Sequence, residues 1–487
     1  MKRVAALVLA LVVCVGGAYA LAPHRRVEST DARPALVSAR PAPRDGLSWI
    51  VAGGGPTPSL NQVQIEQDVR HASELFVHRG EGLVLFGGGR RGRSVQELSG
   101  NTPTGLHAAL GDLLDPRPGR DAVYRASTLA PDGPVSRQAI LAALEGALSD
   151  GTGPLTLYLA GHGMGGEFPR ESRFETWGAD ALWVEDLAET LDAFNERPVR
   201  MIVTSCYGGG FAELAFRGAD VDAGPAETPR CGFFATDWDR VASGCDPNPD
   251  RGAQEGYGLH FLHALSLEDR HGRPDASIDL DRDGRVSMLE AHTRARIASG
   301  SLDLPVTTSE VFLRAAVEEG TDAVPLSSRE EDAVIRALSR QLALEDEDAA
   351  LARRDALFGE LETRGEALDR LELEVEAARE DYGASVLHRW PELGDPWHPA
   401  FASTLDEASG EIQAFLDASS ERARHASLSA QQAQLAEDHD RTLVALAPVE
   451  RLLRAYETRR LAGALRNEGG AFWLRYQAFL ACERGDW

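Results

Sequence analysis

Two stretches decide the fold: LYLAGHGMGG, Leu157 to Gly166, and RMIVTSCYGGG, Arg200 to Gly210. Each begins as an apolar, β-branched run with no polar alternation, the pattern of a strand buried on both faces. Each stops abruptly in glycines, and each carries one reactive side chain at the break, His162 in the first and Cys206 in the second.

The same pattern recurs around them. LSWIVAGGG, GLVLFGGG and CGFFATDW read as further strands. Helical patterns lie between them, one from Ser136 with Ala139, Ile140, Ala143, Leu144 and Leu148 on one face, another from Leu182 to Phe194. Alternating strands and helices predict an α/β domain, a mainly parallel sheet flanked by helices, over residues 47–325. In such sheets the ligand site lies at the carboxyl ends of the strands. If the two deciding strands are parallel neighbours, that end brings His162 beside Cys206.

After Pro325 the character changes. Ser328 and Glu331 are spaced as a capping box, and a long helical pattern follows. Leu344, Leu351 and Phe358 are seven apart, as are Leu361, Leu368 and Val375, which predicts a helix hairpin or short coiled coil. Residues 326–487 are therefore expected to be all-α. Docked over the carboxyl edge of the sheet, these helices would block Cys206. Otherwise they form an arm for stability or for a protein partner.

The chain has 487 residues and a formal charge of -26, which disfavours nucleic acid as a partner because phosphates would be repelled. Lys2 is the one lysine, so a mature protein has no lysine chemistry. Lys2 and Arg3 precede an apolar run, and Ala18-Tyr19-Ala20 offers a small-x-small cleavage pattern. Residues 1–20 are expected to be an export signal or a membrane anchor, with lipid attachment at Cys14 as a further reading. Residues 21–46, rich in Pro and Arg, read as a linker. The expected location is periplasmic or extracellular, where disulfides persist. Cys231 and Cys245 bracket a polar loop and are expected to pair; Cys206, at a strand end in glycines, is expected to stay reduced, and Cys482 is left open.

A thiol needs a base or a positive neighbour to act as a nucleophile at neutral pH, and glycines let backbone N–H groups approach an oxyanion. Cys206 is thus the candidate nucleophile, His162 the candidate base, and the N–H groups of Gly163 and Cys206 the candidate oxyanion donors.

A strand ending in His-Gly, followed by one ending in Cys, resembles the caspase and legumain superfamily of cysteine peptidases, and the legumain branch in particular. IVAGGG with NQVQIEQDVRHASELF, ALWVEDLAETLD and CGFFATDW are similar to its first strand and helix, to the segment between its His and Cys strands, and to its following strand. The resemblance implies a caspase-like sheet and a Cys-His endopeptidase acting on a peptide or protein. It also implies an Asn that orients the His, for which Asn61 is the nearest candidate. Thr204 stands where legumains carry an acidic residue, so cleavage after Asn is not implied. A transpeptidase using the same acyl-enzyme, or an inactive scaffold of the same fold, are the rival readings.

DLDRDGRVSMLE, Asp279 to Glu290, matches an EF-type calcium loop: Asp279, Asp281 and Asp283 offer carboxylates, Gly284 makes the turn, Arg285 offers its carbonyl, Ser287 acts directly or through water, and Glu290 closes the loop. The expected role of the Ca2+ is structural. No organic cofactor is expected. GGGRRGRS, Gly87 to Ser94, has P-loop spacing but Arg93 in place of the Lys, and His260 and His263 lack a third metal ligand nearby.

Overall fold

The computed structural model describes residues 46–90, 93–117, 119–151, 153–194, 196–318, 320–321 and 323–485, apart from residues 101–103. The expected signal or anchor at 1–20 and nearly all of the linker lie outside the described residues. Among the described residues, no helix is long and apolar enough to cross a membrane.

The strands, in chain order, are β1 (Trp49–Gly54), β2 (Gly82–Phe86), β3 (Arg93–Leu98), β4 (Ala122–Ala126), β5 (Leu155–Gly161), β6 (Gly163–Met164), β7 (Arg173–Thr176), β8 (Asp180–Trp183), β9 (Val199–Val203), β10 (Arg230–Phe234) and β11 (Val306–Thr307). Six of the described strands form one sheet in the order β11-β10-β9-β5-β1-β2. All pairs in it are parallel except β10 with β11. The five apolar runs are the five parallel strands, as expected. β11, two residues long, gave no period to read, and the small sheets β3-β4 and β6-β7-β8 were not anticipated.

Alternation along each strand divides the core. Ile50, Leu157, Leu159, Met201 and Val203 face one apolar layer, with the helices Arg137–Asp150 and Val184–Ala193. Val51, Tyr158, Ala160, Ile202 and Phe233 face the other, with the helices Val63–Phe76, Tyr257–Leu265 and Met288–Ala298. Both faces are covered, which is why these strands show no polar alternation.

The chain divides into two compact units. The first contains the sheet and comprises residues 46–98, 122–343 and 450–485 of those described; the second comprises 99–121 and 344–449. The division does not fall at Pro325. The helix Arg329–Leu342 and the segment from Glu450 onward belong to the unit of the sheet. Ser328 caps the Glu331 N–H at 3.2 Å, but the Glu331 carboxylate does not reach back to complete a box. It takes both Arg296 guanidinium nitrogens instead, at 2.8 and 2.9 Å.

In the second unit the helix Glu347–Arg389 and the first part of Ser420–Glu468 form the expected hairpin. Arg364 donates to the Asp438 carbonyl, and Arg424 donates to Asp381, an antiparallel pairing. The heptad residues Leu351, Phe358, Leu361, Leu368 and Val375 are half-buried. A small core of Leu110, Leu113, Tyr382, Val386, Ile412 and Leu416 closes one end.

The expected Cys231–Cys245 bridge is not formed. Cys231 bonds Cys482, with Cα atoms 6.1 Å apart. The reason lies in strand direction. Cys231 is near the start of β10 and fully buried, whereas Cys245 follows the loop beyond that strand's carboxyl end. Closeness in sequence thus placed them at opposite ends of a strand, and the returning C-terminal helix Gly470–Glu483 brings Cys482 to Cys231.

Candidate active site

β5 and β9 are adjacent, parallel and in register, Leu159 opposite Val203, and His162 and Cys206 each lie three residues beyond that pair. His162 follows β5 directly and Cys206 lies three residues past β9. Gly163 is pressed onto the Cys206 peptide: a Cβ there would lie 2.2 Å from the Cys206 carbonyl oxygen and 2.8 Å from Ser205 Oγ. Only glycine fits, and this close approach ties the His162 segment to Cys206. Tyr207 has φ +57°, a left-handed turn rare for a non-glycine residue, immediately after Cys206.

The imidazole is oriented from two sides. Gln62 Oε1 lies 2.9 Å from His162 Nε2. An amide oxygen only accepts, so Nε2 carries the proton and Nδ1 holds the lone pair. Cys245 Sγ lies 3.9 Å from that Nδ1. Burial pushes the His162 pKa below its ordinary value, opposed by a hydrogen bond with the Leu60 backbone. The neutral form, the one that acts as a base, is therefore favoured.

Cys206 is held by the same loop. The Ala242 N–H donates to Cys206 Sγ at 3.2 Å, and the Cys206 thiol meets the Ala242 carbonyl at 3.5 Å. Neither Cys206 nor Cys245 is in a disulfide, and both are half-buried.

Asn61 does not hold the imidazole. It is buried, its Oδ1 accepting from the Gly55 N–H at 3.1 Å and its Nδ2 donating to the Ser94 carbonyl at 2.9 Å. It pins the loop after β1 to β3, and this positions its neighbour Gln62. Gln62 and Cys245 were both missed from the sequence. Their role depends on loops converging from 100 and 83 residues away, and no local pattern encodes that. Thr204 is 8% exposed and spends its N–H and hydroxyl on the Leu159 carbonyl, so no carboxylate stands at that position.

The acidic loop lies elsewhere in the same unit. Carboxylate oxygens of Asp279, Asp281 and Asp283 lie within 4.8 Å of one another. Asp279 already accepts from the N–H groups of Arg282, Asp283 and Gly284. Ser287 caps the next helix, and Glu290 faces inward, taking N–H groups of Leu280, Asp281 and Ser287. It does not join the three aspartates. Arg285 donates its N–H to Asp283, and Arg329 pairs with Asp281.

His260 Nε2 lies 2.9 Å from a Glu255 carboxylate oxygen, and His263 Nδ1 lies 3.5 Å from Glu268. No protein-family model matches the chain, and no curated protein does.

Proposed function

We propose that the chain is an exported cysteine peptidase with a caspase- or legumain-like catalytic domain, His162 and Cys206 being its dyad. The observation that supports this most is the juncture at the ends of β5 and β9, where Gly163 seats against the Cys206 carbonyl. In the proposed reaction His162 takes the Cys206 thiol proton, and the thiolate attacks the scissile carbonyl of a peptide. The tetrahedral oxyanion is met by the N–H groups of Gly163 and Cys206. His162 protonates the leaving amine, a thioester forms, and His162 then activates the water that hydrolyses it. Gln62 is a positioning residue, fixing the tautomer that leaves Nδ1 able to take a proton.

The Cys231–Cys482 bridge favours an oxidising compartment, in keeping with the export reading. The calcium reading keeps three ligands rather than six. Asp279, Asp281 and Asp283 suit a divalent ion by charge and spacing, while Glu290 is engaged by backbone N–H groups. We assign any calcium there a weak, stabilising role.

The test is a random peptide library incubated with the full chain, together with labelling by an electrophilic peptide ketone. Cleavage, and adduct formation at Cys206, are expected. No turnover and no adduct would instead favour a scaffold of this fold.

A further inference from the structure

We propose that Cys245 is a resolving thiol, which forms a disulfide with Cys206 when the protein meets a hydroperoxide. The proposal rests on the reading above only in taking Cys206 as the reactive thiolate.

Three observations carry it. Cys245 Sγ sits 3.9 Å from His162 Nδ1, the lone-pair nitrogen, so the second thiol faces the same base as the proposed dyad. The loop that bears Cys245 also touches Cys206, since Ala242, three residues earlier, meets Cys206 Sγ through both its N–H and its carbonyl. Both sulfurs border one apolar cluster and are half-buried, within reach of a small oxidant. Residues 241–250 have no regular secondary structure. Ser243 is anchored by its N–H to Asp303 at 2.6 Å, and Gly244, φ +129°, is the joint between that anchor and Cys245. On the other side Asp246 is fixed on Gln64, its N–H donating to Gln64 Oε1 at 2.9 Å, so Cys245 sits between two anchors and only its side chain needs to turn.

The chemistry balances with the hydroperoxide as sole oxidant. The Cys206 thiol gives its proton to His162 and the thiolate attacks one peroxide oxygen; the O–O bond breaks, and the other oxygen takes that proton and leaves as alcohol or water. Cys206 is now a sulfenic acid. Cys245 gives its proton to His162 Nδ1 and attacks the Cys206 sulfur. The S–O bond breaks, and the departing hydroxide takes the proton from His162 as water. The two thiols together lose two electrons and the peroxide gains them. A dithiol reductant reverses the bond.

The test uses the full chain, treated with a few equivalents of hydrogen peroxide, alkylated, digested with trypsin without reduction, and mapped by mass. The expected product joins Met201–Arg217 to Val241–Arg251, lighter by two hydrogens than the separate peptides, and dithiothreitol releases both. The Cys231–Cys482 peptides serve as internal standard, being linked before and after peroxide. In Cys245→Ser the expected product is Cys206 sulfinic or sulfonic acid, which dithiothreitol does not reverse. Wild-type molecules with over-oxidised Cys206 and alkylated Cys245 would overturn the proposal, as would two thiols untouched by peroxide. The mass readout needs no turnover. A linked pair in a chain that cleaves no peptide leaves the resolving thiol standing and removes the peptidase reading alone.

Discussion

Two regions of the α/β unit treat buried reactive groups in opposite ways. At the carboxyl ends of β5 and β9, two cysteines stay reduced and an imidazole that burial pushes toward its neutral form is oriented by one amide. Where the C-terminal segment returns, buried charges meet opposite charges or hydrogen-bond donors. Arg296 is fully buried between Glu331 and Glu310, Arg454 meets Asp237 at 2.8 Å, Glu483 takes the Ser309 N–H and hydroxyl, and Cys482 is bonded to Cys231. Breaking such buried pairs leaves uncompensated charge and costs several kcal/mol. On the proposed reading one region reacts and the other holds, and the two should respond to mutation in separable ways.

The largest effect expected is on turnover. Cys206→Ala should lower kcat on a peptide substrate by about 10⁴-fold or more, with circular dichroism and melting temperature nearly unchanged. Cys482→Ser should do the reverse, keeping the label at Cys206 while lowering stability by about 2–5 kcal/mol, read by denaturant melts. Equal loss of stability in both variants would erase the distinction between the regions.

Truncation near Pro325 sharpens the same contrast. Were the helices a lid, the shortened chain would be more active. It would also lose Cys482, Glu331, Arg454 and Glu483, which close the unit of the sheet. The expected outcome is therefore an aggregated or molten product, shown by lost near-ultraviolet dichroism. A folded, more active truncate would mean that the return is a cover and not part of the core.

The sequence showed what is periodic or local. The five parallel strands, the hairpin heptads and the His-Gly and Cys strand ends could all be read, because burial on both faces and a seven-residue repeat leave patterns in consecutive residues. What the sequence hid was long-range. Cys231 found Cys482 across 251 residues, and the unit boundary fell inside the helix Ser420–Glu468, near its internal Pro448. The Asn61 assignment missed by one residue, since side chains at successive positions serve different neighbours: Asn61 reaches Ser94, Gln62 reaches His162.

Gln62 gives an intermediate effect. Gln62→Leu should remove the acceptor on Nε2 and lower kcat/KM roughly tenfold to a hundredfold, with little change in melting. The pH profile supplies a second readout. Burial lowers the His162 pKa, so its acid limb should lie below the ordinary imidazole value of about 6.5. Gln62→Glu sets a carboxylate against the Nε2 proton, stabilises the imidazolium and should move that limb to higher pH. A limb that stays in place would detach Gln62 from the imidazole.

Calcium should give the smallest effect, and it probes the holding region at its rim. The three aspartates converge, yet the Arg329 guanidinium already neutralises Asp281, and Glu290 is bound to backbone N–H groups. An ion must therefore displace Arg329 or accept fewer ligands, which predicts weak binding, about 10⁻⁴ to 10⁻³ M as in extracellular sites. At ten times that concentration the linkage is worth about 1.4 kcal/mol, a rise of roughly 1–4 °C in melting temperature over chelator. Asp279→Asn should abolish the rise. Arg329→Ala should enlarge it, because the competing cation is gone, even if the variant starts from a lower baseline. Glu290→Gln should lower the melting temperature in both conditions, since Glu290 caps the loop with or without the ion. Identical melting in calcium and chelator, for wild type and Arg329→Ala alike, would leave the three carboxylates as acceptors for their own turn.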